Sequence, residues 1–309
     1  MLDGEERIRD ELKAIYNSIG RKIRRAGASV INELNSIGYN PLHIDRSFTS
    51  MVEKWDGYIS KGKSNKIRYK SIRSLVNIYI LENIFSLKIS MESKLIMILL
   101  ESIINATDDI IDTTLTDMNE RVDNAIIILF GSVFIQKQLS IRHSNLSIAS
   151  RNDLVSKALF TYLLNISHIP IVEHQTYDTI IDSENETEII EAAVKSYLWR
   201  AKDIDVFWEI ACIDIGLDKD KRRKMGSLLR AFRAIELYYK DCEDLEYDLH
   251  HVTRTPMTAL VTRCEGEDKK SLSEGIHREL SLRFDNAAKN VDEDAVISYL
   301  RTKNERAGN

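Results

Sequence analysis

"LIMILLESIINATDDIID", residues 95–112, is an apolar stretch that ends in three aspartates. Apolar residues fill nearly the whole circumference of the helix it predicts, which is typical of a buried, central helix. A turn of about 100° per residue places four polar residues on one stripe of that helix: Glu101, Asn105, Asp108 and Asp112. Asp109 lies beside the stripe. Carboxylates in such a helix need a partner, because an uncompensated charge away from water costs several kcal/mol.

Two alternatives explain the three aspartates. In the first, Asp108 and its neighbours end the helix at a solvent edge, beside "TTLTD" at residues 113–117. In the second, carboxylates at i and i+4, with a third between them, form an oxygen-rich site for hard divalent cations. The chief candidate is Mg²⁺, which keeps several waters and shares a substrate phosphate. The second alternative predicts another half-site elsewhere in the chain.

The composition predicts a helical fold without a domain boundary. The 309 residues include only 3 Pro and 12 Gly, and no proline occurs between Pro41 and Pro170. Apolar residues in that interval recur at helical rather than alternating spacing. No Pro-, Gly- or Ser-rich linker divides the chain. We therefore predict an all-α, single-domain helical bundle over residues 1–309.

Charge and cysteine content exclude several classes of protein. The opening segment "MLDGEERIRDEL" is too charged for a secretory signal, and the longest apolar run, "AIIILFGSVFI", is well short of the roughly 20 residues that span a bilayer. The three cysteines form no CxxC pair, so neither a disulfide framework nor a zinc site is indicated. The net charge of −5, from 43 basic and 48 acidic residues that are interspersed, indicates no nucleic-acid partner. We expect a soluble, cytoplasmic protein without a transmembrane segment.

A second acidic segment, "RAFRAIELYYKDCEDLEYDLHH" at residues 230–251, is the candidate for the other half-site. On one continuous helix, a regular apolar stripe leaves Asp241, Asp244 and Asp248 together on the far side, where the simplest interpretation is a solvated face. Glu243 lies instead beside the apolar stripe, and it looks inward if the helix faces a cavity.

Together the two segments resemble the trans-type isoprenyl diphosphate synthases and, more loosely, the class I isoprenoid synthase superfamily. The first motif, "DDIID" at residues 108–112, matches the family's DDxxD fully. The resemblance is strongest over residues 60–260. It implies an isoprenoid synthase fold with a central apolar cavity. It also predicts that the helices of residues 93–112 and 230–250 face each other, with Asp108 and Glu243 across that cavity.

The second motif is a degenerate match to the family's FQxxDDxxD. Glu243 and Asp244 take the first two acidic positions, and Lys240 replaces the glutamine. Tyr247 replaces the last aspartate, and Asp248 follows one residue late. The resemblance therefore implies a second metal-binding segment with fewer good ligands than the first.

Basic segments occur in the same order as in the family. "KGKSNKIRY" resembles the GGKxxRP segment, with Lys63 at the lysine and Lys66 at the arginine, and "LWRAKDID" resembles the KTA segment, with Arg200 at the lysine. Arg254 is the sole cation of the shortened loop "HHVTRTPMTAL". A diphosphate needs cationic donors wherever metal ions do not reach. The resemblance thus implies a set of diphosphate-binding residues: Lys63, Lys66, Arg200, Lys240 and Arg254.

The resemblance also implies the catalytic machinery. It assigns catalytic roles to Asp108, Asp112 and Arg200, and it implies three Mg²⁺ ions with diphosphate bound. The implied metal ligands come from both acidic segments: Asp108, Asp109, Asp112, Glu243, Asp244 and Asp248. The implied substrate is an allylic prenyl diphosphate, with isopentenyl diphosphate as a second substrate, and the implied assembly is a homodimer.

Three functions stay open. The first is a prenyltransferase that condenses an allylic diphosphate with isopentenyl diphosphate, although no RRG segment follows the first motif. The second is a terpene cyclase, since Lys240, Asp241, Asp244 and Asp248 overlay the cyclases' NDxxSxxxE motif imperfectly. The third is a non-catalytic helical relative that acts as a partner subunit or binds a prenyl ligand.

Overall fold

The structure is a computed structural model of the 309-residue chain. From residue 73 onward it describes residues 73–111, 118–140, 146–264 and 266–307. Before residue 73 it describes residues 4–8, 10–12, 14–15, 18 and 36. Every regular element in these ranges is helical, and none of their residues belongs to a β-strand. The all-α prediction is therefore confirmed.

The chain divides into two compact units, Met1–Asn152 and Asp153–Asn309. The single domain over residues 1–309 stays a prediction. The described helices that lie wholly in the first unit are α1 (Arg73–Tyr79), α2 (Met91–Ile111) and α3 (Met118–Ser140), with a π-helical turn at Ile80–Ile84. Helix α4, Leu146–Ser167, begins in the first unit and ends in the second.

The second unit is built around one long helix, α8. Its helices are α5 (Ile169–Asp182), α6 (Glu186–Arg200), α7 (Asp205–Ile215), α8 (Lys219–Glu243), α9 (Leu245–His250), α10 (Pro256–Arg263), α11 (Glu267–Ala288) and α12 (Asp294–Ala307). A 3₁₀ turn, Ala201–Ile204, joins α6 to α7. Helix α8 packs against α6, α7, α9, α10, α11, α12 and this turn.

Local sequence explains why α8 begins where it does and which face it buries. The Asp218 carboxylate caps its first turn by accepting hydrogen bonds from the backbone N–H groups of Asp220 and Lys221. Further along, Leu228 and Phe232 recur at helical spacing and are fully buried. Burial of each such side chain stabilises the fold by roughly 1.5–3 kcal/mol. The apolar stripe thus fixes which side of α8 meets the core.

Helix α2 is buried as the sequence predicts. Residues 96–100 are each no more than 5% exposed, whereas Ile110, near the end of the helix, is 40% exposed. Helix α3 packs closely against α2 at Gly131, where an added Cβ would lie only 2.9 Å from the Ile103 side chain. The burial of α2 places the start of the aspartate motif at the end of a rigid, packed element.

Within the described ranges, one helical stretch, Ser150–Asp182, is long and apolar enough to cross a membrane by length and composition alone. The most apolar 18 residues of this stretch have a mean hydropathy of 1.2, and 17% of them are buried. Phe160 is 65% exposed and Leu163 is 53% exposed, while Val155 and Tyr162 on the same helix are buried. The absence of a transmembrane segment stays a prediction.

Candidate functional site

Arg200 and the second acidic segment meet in the second unit, although they lie 41 residues apart in sequence. The guanidinium donates to both carboxylate oxygens of Asp241, from Nη1 to Oδ2 at 2.6 Å and from Nη2 to Oδ1 at 3.0 Å. Its Nε lies 3.1 Å from Oε1 of Glu173 on α5. The exposed fractions of the Arg200 and Asp241 side chains are 11% and 3%. This is a buried, two-bond ion pair of the kind that Arg makes with carboxylates.

The local chain path holds Arg200 in that position. Arg200 is the last residue of α6, and the 3₁₀ turn that follows buries Ala201 and Ile204 almost completely. One turn earlier on α6, the fully buried Tyr197 lies with its ring centroid 5.5 Å from the guanidinium carbon of Arg200. This separation allows a cation–π contact. The buried turn and the aromatic ring together restrict the directions in which Arg200 can point.

The acidic segment is not one continuous helix. Helix α8 ends at Glu243, Asp244 adopts φ −86° and ψ 2°, and α9 begins at Leu245. After this break, the half-buried Asp248 lies near Asp241 and Asp244. Burial, followed by the charges of Asp241 and Asp244, raises the pKa of Asp248, while Lys240 and Arg200 lower it, and together they bring this pKa to about 6. Asp248 thus sits in a local excess of negative charge.

The prenyltransferase-like and the cyclase-like assignments of the second motif use residues that differ in exposure. Asp241 is 2% exposed, so the alternative in which all three aspartates form a solvated face is wrong. Asp244 and Asp248 are half-buried, whereas Glu243 and Tyr247 are exposed. The buried side of this segment therefore carries the three aspartates. The metal-binding role given to Glu243 stays a prediction.

We expect Asp248→Asn to raise the melting temperature at pH 8 and to have progressively less effect as the pH falls to 5. The folded-state pKa of about 6 lies above 3.8, the ordinary pKa of an aspartate. The folded state therefore binds this proton more tightly, and the associated stability is lost as the pH rises through 6. Asparagine mimics the protonated form. Melting curves without divalent cations at pH 5, 6.5 and 8 measure the effect.

Asp153→Asn is the matched control, since that carboxylate is exposed on α4 and pairs with Lys157. A surface pair of this kind contributes little to stability at any pH. An Asp248→Asn variant that is less stable than wild type at pH 8 would contradict the pH prediction.

Residues 108–111 of the first aspartate motif lie on α2, in the first unit. Asp108 and Asp109 have helical backbone, but their side chains lie outside the described part of the structure, as does all of Asp112. Lys63 and Lys66 also lie outside the described residues. The roles predicted for these five residues stay predictions.

A buried arginine neutralises the start of the polar stripe on α2. Nε of Arg73 donates to Oε1 of Glu101 at 2.9 Å, and its Nη2 donates to Oδ1 of Asn105 at 2.8 Å. The backbone N–H of Ser74 donates to the other Glu101 oxygen at 2.9 Å. Arg73 and Glu101 are 5% and 3% exposed. The charge partner that the polar stripe requires is thus Arg73 at the position of Glu101, two turns before Asp108.

The other two basic candidates occupy different positions. Lys240 is half-buried at the end of α8, and its charge acts on Asp248. Arg254 is exposed and contacts the His174 imidazole of α5, with its guanidinium carbon 5.3 Å from the centroid of the Tyr177 ring. The structure therefore places Lys240 beside the acidic segment and Arg254 against α5.

The sequence prediction does not include three residues that contact the predicted ones. Glu173 and Tyr197 contact Arg200, and Arg73 contacts Glu101. Arg73 follows the predicted segment "KGKSNKIRY" by four residues, which is the only sequence signal that could have indicated it. Nothing in the local sequence around Glu173 or Tyr197 marks them, because their partners are distant in the chain.

Arg200, Asp244 and Asp248 in the second unit suit the binding of a polyanion that carries bound Mg²⁺. Among the described residues, Arg200 donates two N–H bonds to Asp241, and its Nε lies 3.1 Å from Glu173, so two of its five N–H donors can still meet an anion. Asp244 and Asp248 supply the carboxylate oxygens that Mg²⁺ prefers, and their mutual repulsion favours a bound cation. Among the described residues, no three acidic, histidine or cysteine side chains already form a metal-binding group.

Comparison with known proteins identifies the fold. No family model matches the sequence, and no curated protein matches it. Among solved structures, the chain is similar to a geranylgeranyl pyrophosphate synthetase from the archaeon Geoglobus acetivorans, with a TM-score of 0.54 and 13% sequence identity. The match covers 96% of this chain and 99% of that chain.

This similarity shows that the chain has the isoprenoid synthase fold. The resemblance inferred from the two aspartate-rich segments is therefore confirmed at the level of the fold. Because a fold can host unrelated activities, the function has to be argued from the residues of the site.

Proposed function

We propose that the protein is an Mg²⁺-dependent class I isoprenoid synthase that acts on an allylic prenyl diphosphate. The meeting of Arg200 with the second acidic segment is the observation that carries this proposal. The sequence resemblance predicts Arg200 and the acidic segment independently of each other. In the structure, Arg200 donates two hydrogen bonds to Asp241 of that segment, 41 residues away in sequence. A buried cation beside half-buried carboxylates suits a diphosphate that is shared between an arginine and metal ions.

The residues of the second unit have distinct tasks in this proposal. Arg200 binds the diphosphate through its two remaining donors, while Asp241 and Glu173 orient its guanidinium. Asp244 and Asp248 would hold Mg²⁺ in the second unit, and Asp108, Asp109 and Asp112 would hold Mg²⁺ in the first motif. When bound, Mg²⁺ would neutralise the charge that develops on the departing diphosphate.

The leading version is a prenyltransferase that condenses the allylic substrate with isopentenyl diphosphate. A terpene cyclase, which needs no second diphosphate, is the alternative. One observation favours the cyclase, since Asp241, Asp244 and Asp248 occupy the buried side of their segment and Glu243 is exposed. That side matches the cyclase-like spacing better than the prenyltransferase-like one. A non-catalytic partner subunit or prenyl-ligand binder is the third version. A homodimer and a cytoplasmic location complete the proposal.

Product analysis tests the proposal. The purified protein is incubated with Mg²⁺ and radiolabelled geranyl, farnesyl or geranylgeranyl diphosphate, with and without isopentenyl diphosphate. We expect longer prenyl diphosphates to form only when isopentenyl diphosphate is present. Hydrocarbon or alcohol formed without it would identify the cyclase version.

Parallel reactions with EDTA measure the background, and they should leave the allylic substrate unchanged. Unchanged substrate in every reaction with Mg²⁺ would exclude both catalytic versions. Binding of a labelled prenyl diphosphate without turnover would then leave the non-catalytic version.

A further inference from the structure

Three ion pairs connect the chain around the 3₁₀ turn to helix α8. Arg200 pairs with Asp241, as described above. Two N–H groups of Arg233 contact the Asp203 carboxylate, with Nη2 to Oδ2 at 3.0 Å and Nε to Oδ1 at 3.2 Å. Arg230 contacts Asp205 in the same way, at 2.5 and 3.2 Å. The order of contacts is antiparallel, because the residue numbers rise from 200 to 205 on one side and fall from 241 to 230 on the other.

The middle pair, Arg233–Asp203, is the most enclosed cluster of charges among the three. The side chains of Arg233 and Asp203 are 7% and 9% exposed, and Glu236 lies beside them at 6% exposure. Nη1 of Arg233 is 3.4 Å from Oε2 of Glu236. Buried ion pairs seldom add net stability, since desolvation offsets their attraction. Their presence here therefore calls for an explanation other than stability.

The middle pair and the Arg200 pair have opposite polarity. In the middle pair the cation lies on α8, whereas in the Arg200 pair the anion, Asp241, lies on α8. A slide of α8 along the turn would leave Asp241 or Arg233 buried without its partner. Exchange of partners between the two pairs is also excluded. It would place Arg200 against Arg233 and Asp203 against Asp241, and like charges repel. The alternation of charge therefore selects one register between α8 and the 3₁₀ turn.

Asp203 itself lies within the turn, three residues after Arg200. Its contact with Arg233 fixes the turn on one side, and the burial of Ile204 fixes it on the other. The direction of the Arg200 guanidinium depends on this turn. We infer that Asp203 and Arg233 are positioning residues that hold Arg200 against Asp241 in the geometry that binds a diphosphate. The diphosphate part of this inference rests on the proposed function.

Removal of the whole buried cluster without leaving an unpaired charge tests the inference. The triple variant D203L/R233M/E236Q removes every formal charge of the cluster, so we expect it to fold. The matched control is D205L/R230M, which removes the half-exposed third pair. Calorimetry with inorganic pyrophosphate and Mg²⁺, at a temperature where all variants are folded, measures the affinity. We expect a loss of about tenfold or more for the triple variant and less than about twofold for the control.

The conservative variant D203N is the second test, and it keeps the test valid if the triple variant does not fold. Its amide oxygen still accepts a hydrogen bond from Arg233, so we expect an affinity between those of the wild type and the triple variant. A purely structural role predicts a change in melting temperature with unchanged pyrophosphate affinity. That result in the triple variant or in D203N would overturn the inference.

Crystal structures of the variants separate this inference from the proposed function. We expect the two-bond contact between Arg200 and Asp241 to be displaced in the triple variant and intact in the control. If the wild type binds no pyrophosphate, the proposed function fails, and the crystal structures still decide whether Asp203 and Arg233 position Arg200. An intact Arg200–Asp241 contact in the triple variant, or in D203N if only that variant folds, would show that they do not.

Discussion

Asp108→Ala and Asp112→Ala are each expected to lower kcat/KM for an allylic prenyl diphosphate by about 10³-fold or more. In the proposed mechanism, loss of either carboxylate removes a ligand of an ion that contributes several kcal/mol to the transition state, and each 1.36 kcal/mol corresponds to a factor of about ten in rate. The fold should stay intact or become slightly more stable, because clustered like charges repel each other when no metal is bound. Steady-state kinetics and melting curves measure the two effects.

Asp153→Ala is a suitable control for these variants, since Asp153 is an exposed carboxylate on α4. Its removal should leave kcat/KM unchanged within about twofold. Wild-type activity in both Asp108→Ala and Asp112→Ala would exclude a metal-binding role for the first motif. A loss of activity with a matching loss of folded protein would indicate a structural role instead.

Arg200→Ala is expected to weaken diphosphate binding by at least about tenfold and to destabilise the protein. The substitution leaves Asp241 buried without its partner, which costs roughly 3–5 kcal/mol in comparable buried pairs. In a unit of this size, that loss corresponds to a fall in melting temperature of about 10 °C. Calorimetry with pyrophosphate and Mg²⁺, well below the melting temperature, measures binding separately from stability.

Arg200→Lys should restore much of the diphosphate binding, because the family carries lysine at this position. The structure adds a qualification, since lysine has a single point charge and cannot reproduce both contacts with Asp241. We therefore expect its stability to lie between those of the wild type and Arg200→Ala. Equal pyrophosphate affinity for wild type and Arg200→Ala would show that Arg200 does not occupy the family's lysine position.

Helical periodicity alone is enough to predict the burial of α2 and the mostly helical fold. Both predictions depend on local spacing, since apolar side chains all round a helix have to be removed from water. The same reasoning fails beyond Glu243. A continuous helix over residues 230–251 assigns each side chain a direction by its number, but the helix is interrupted at Asp244. The three aspartates still share one side of the segment, as the spacing predicts, but the spacing could not show that this side is the more buried one.

The order and spacing of the two acidic segments and of "RAK" at residues 200–202 are properties of the sequence, and they were sufficient to predict the isoprenoid synthase fold. Only the tertiary structure decided which charge meets which. Arg200 pairs with Asp241 and Glu173, and Glu101 pairs with Arg73. Each of these contacts joins residues 27 to 41 positions apart. A buried charge is stable only where its counter-ion is also buried, and that condition is set by how the helices pack and not by the neighbours of either residue in the chain.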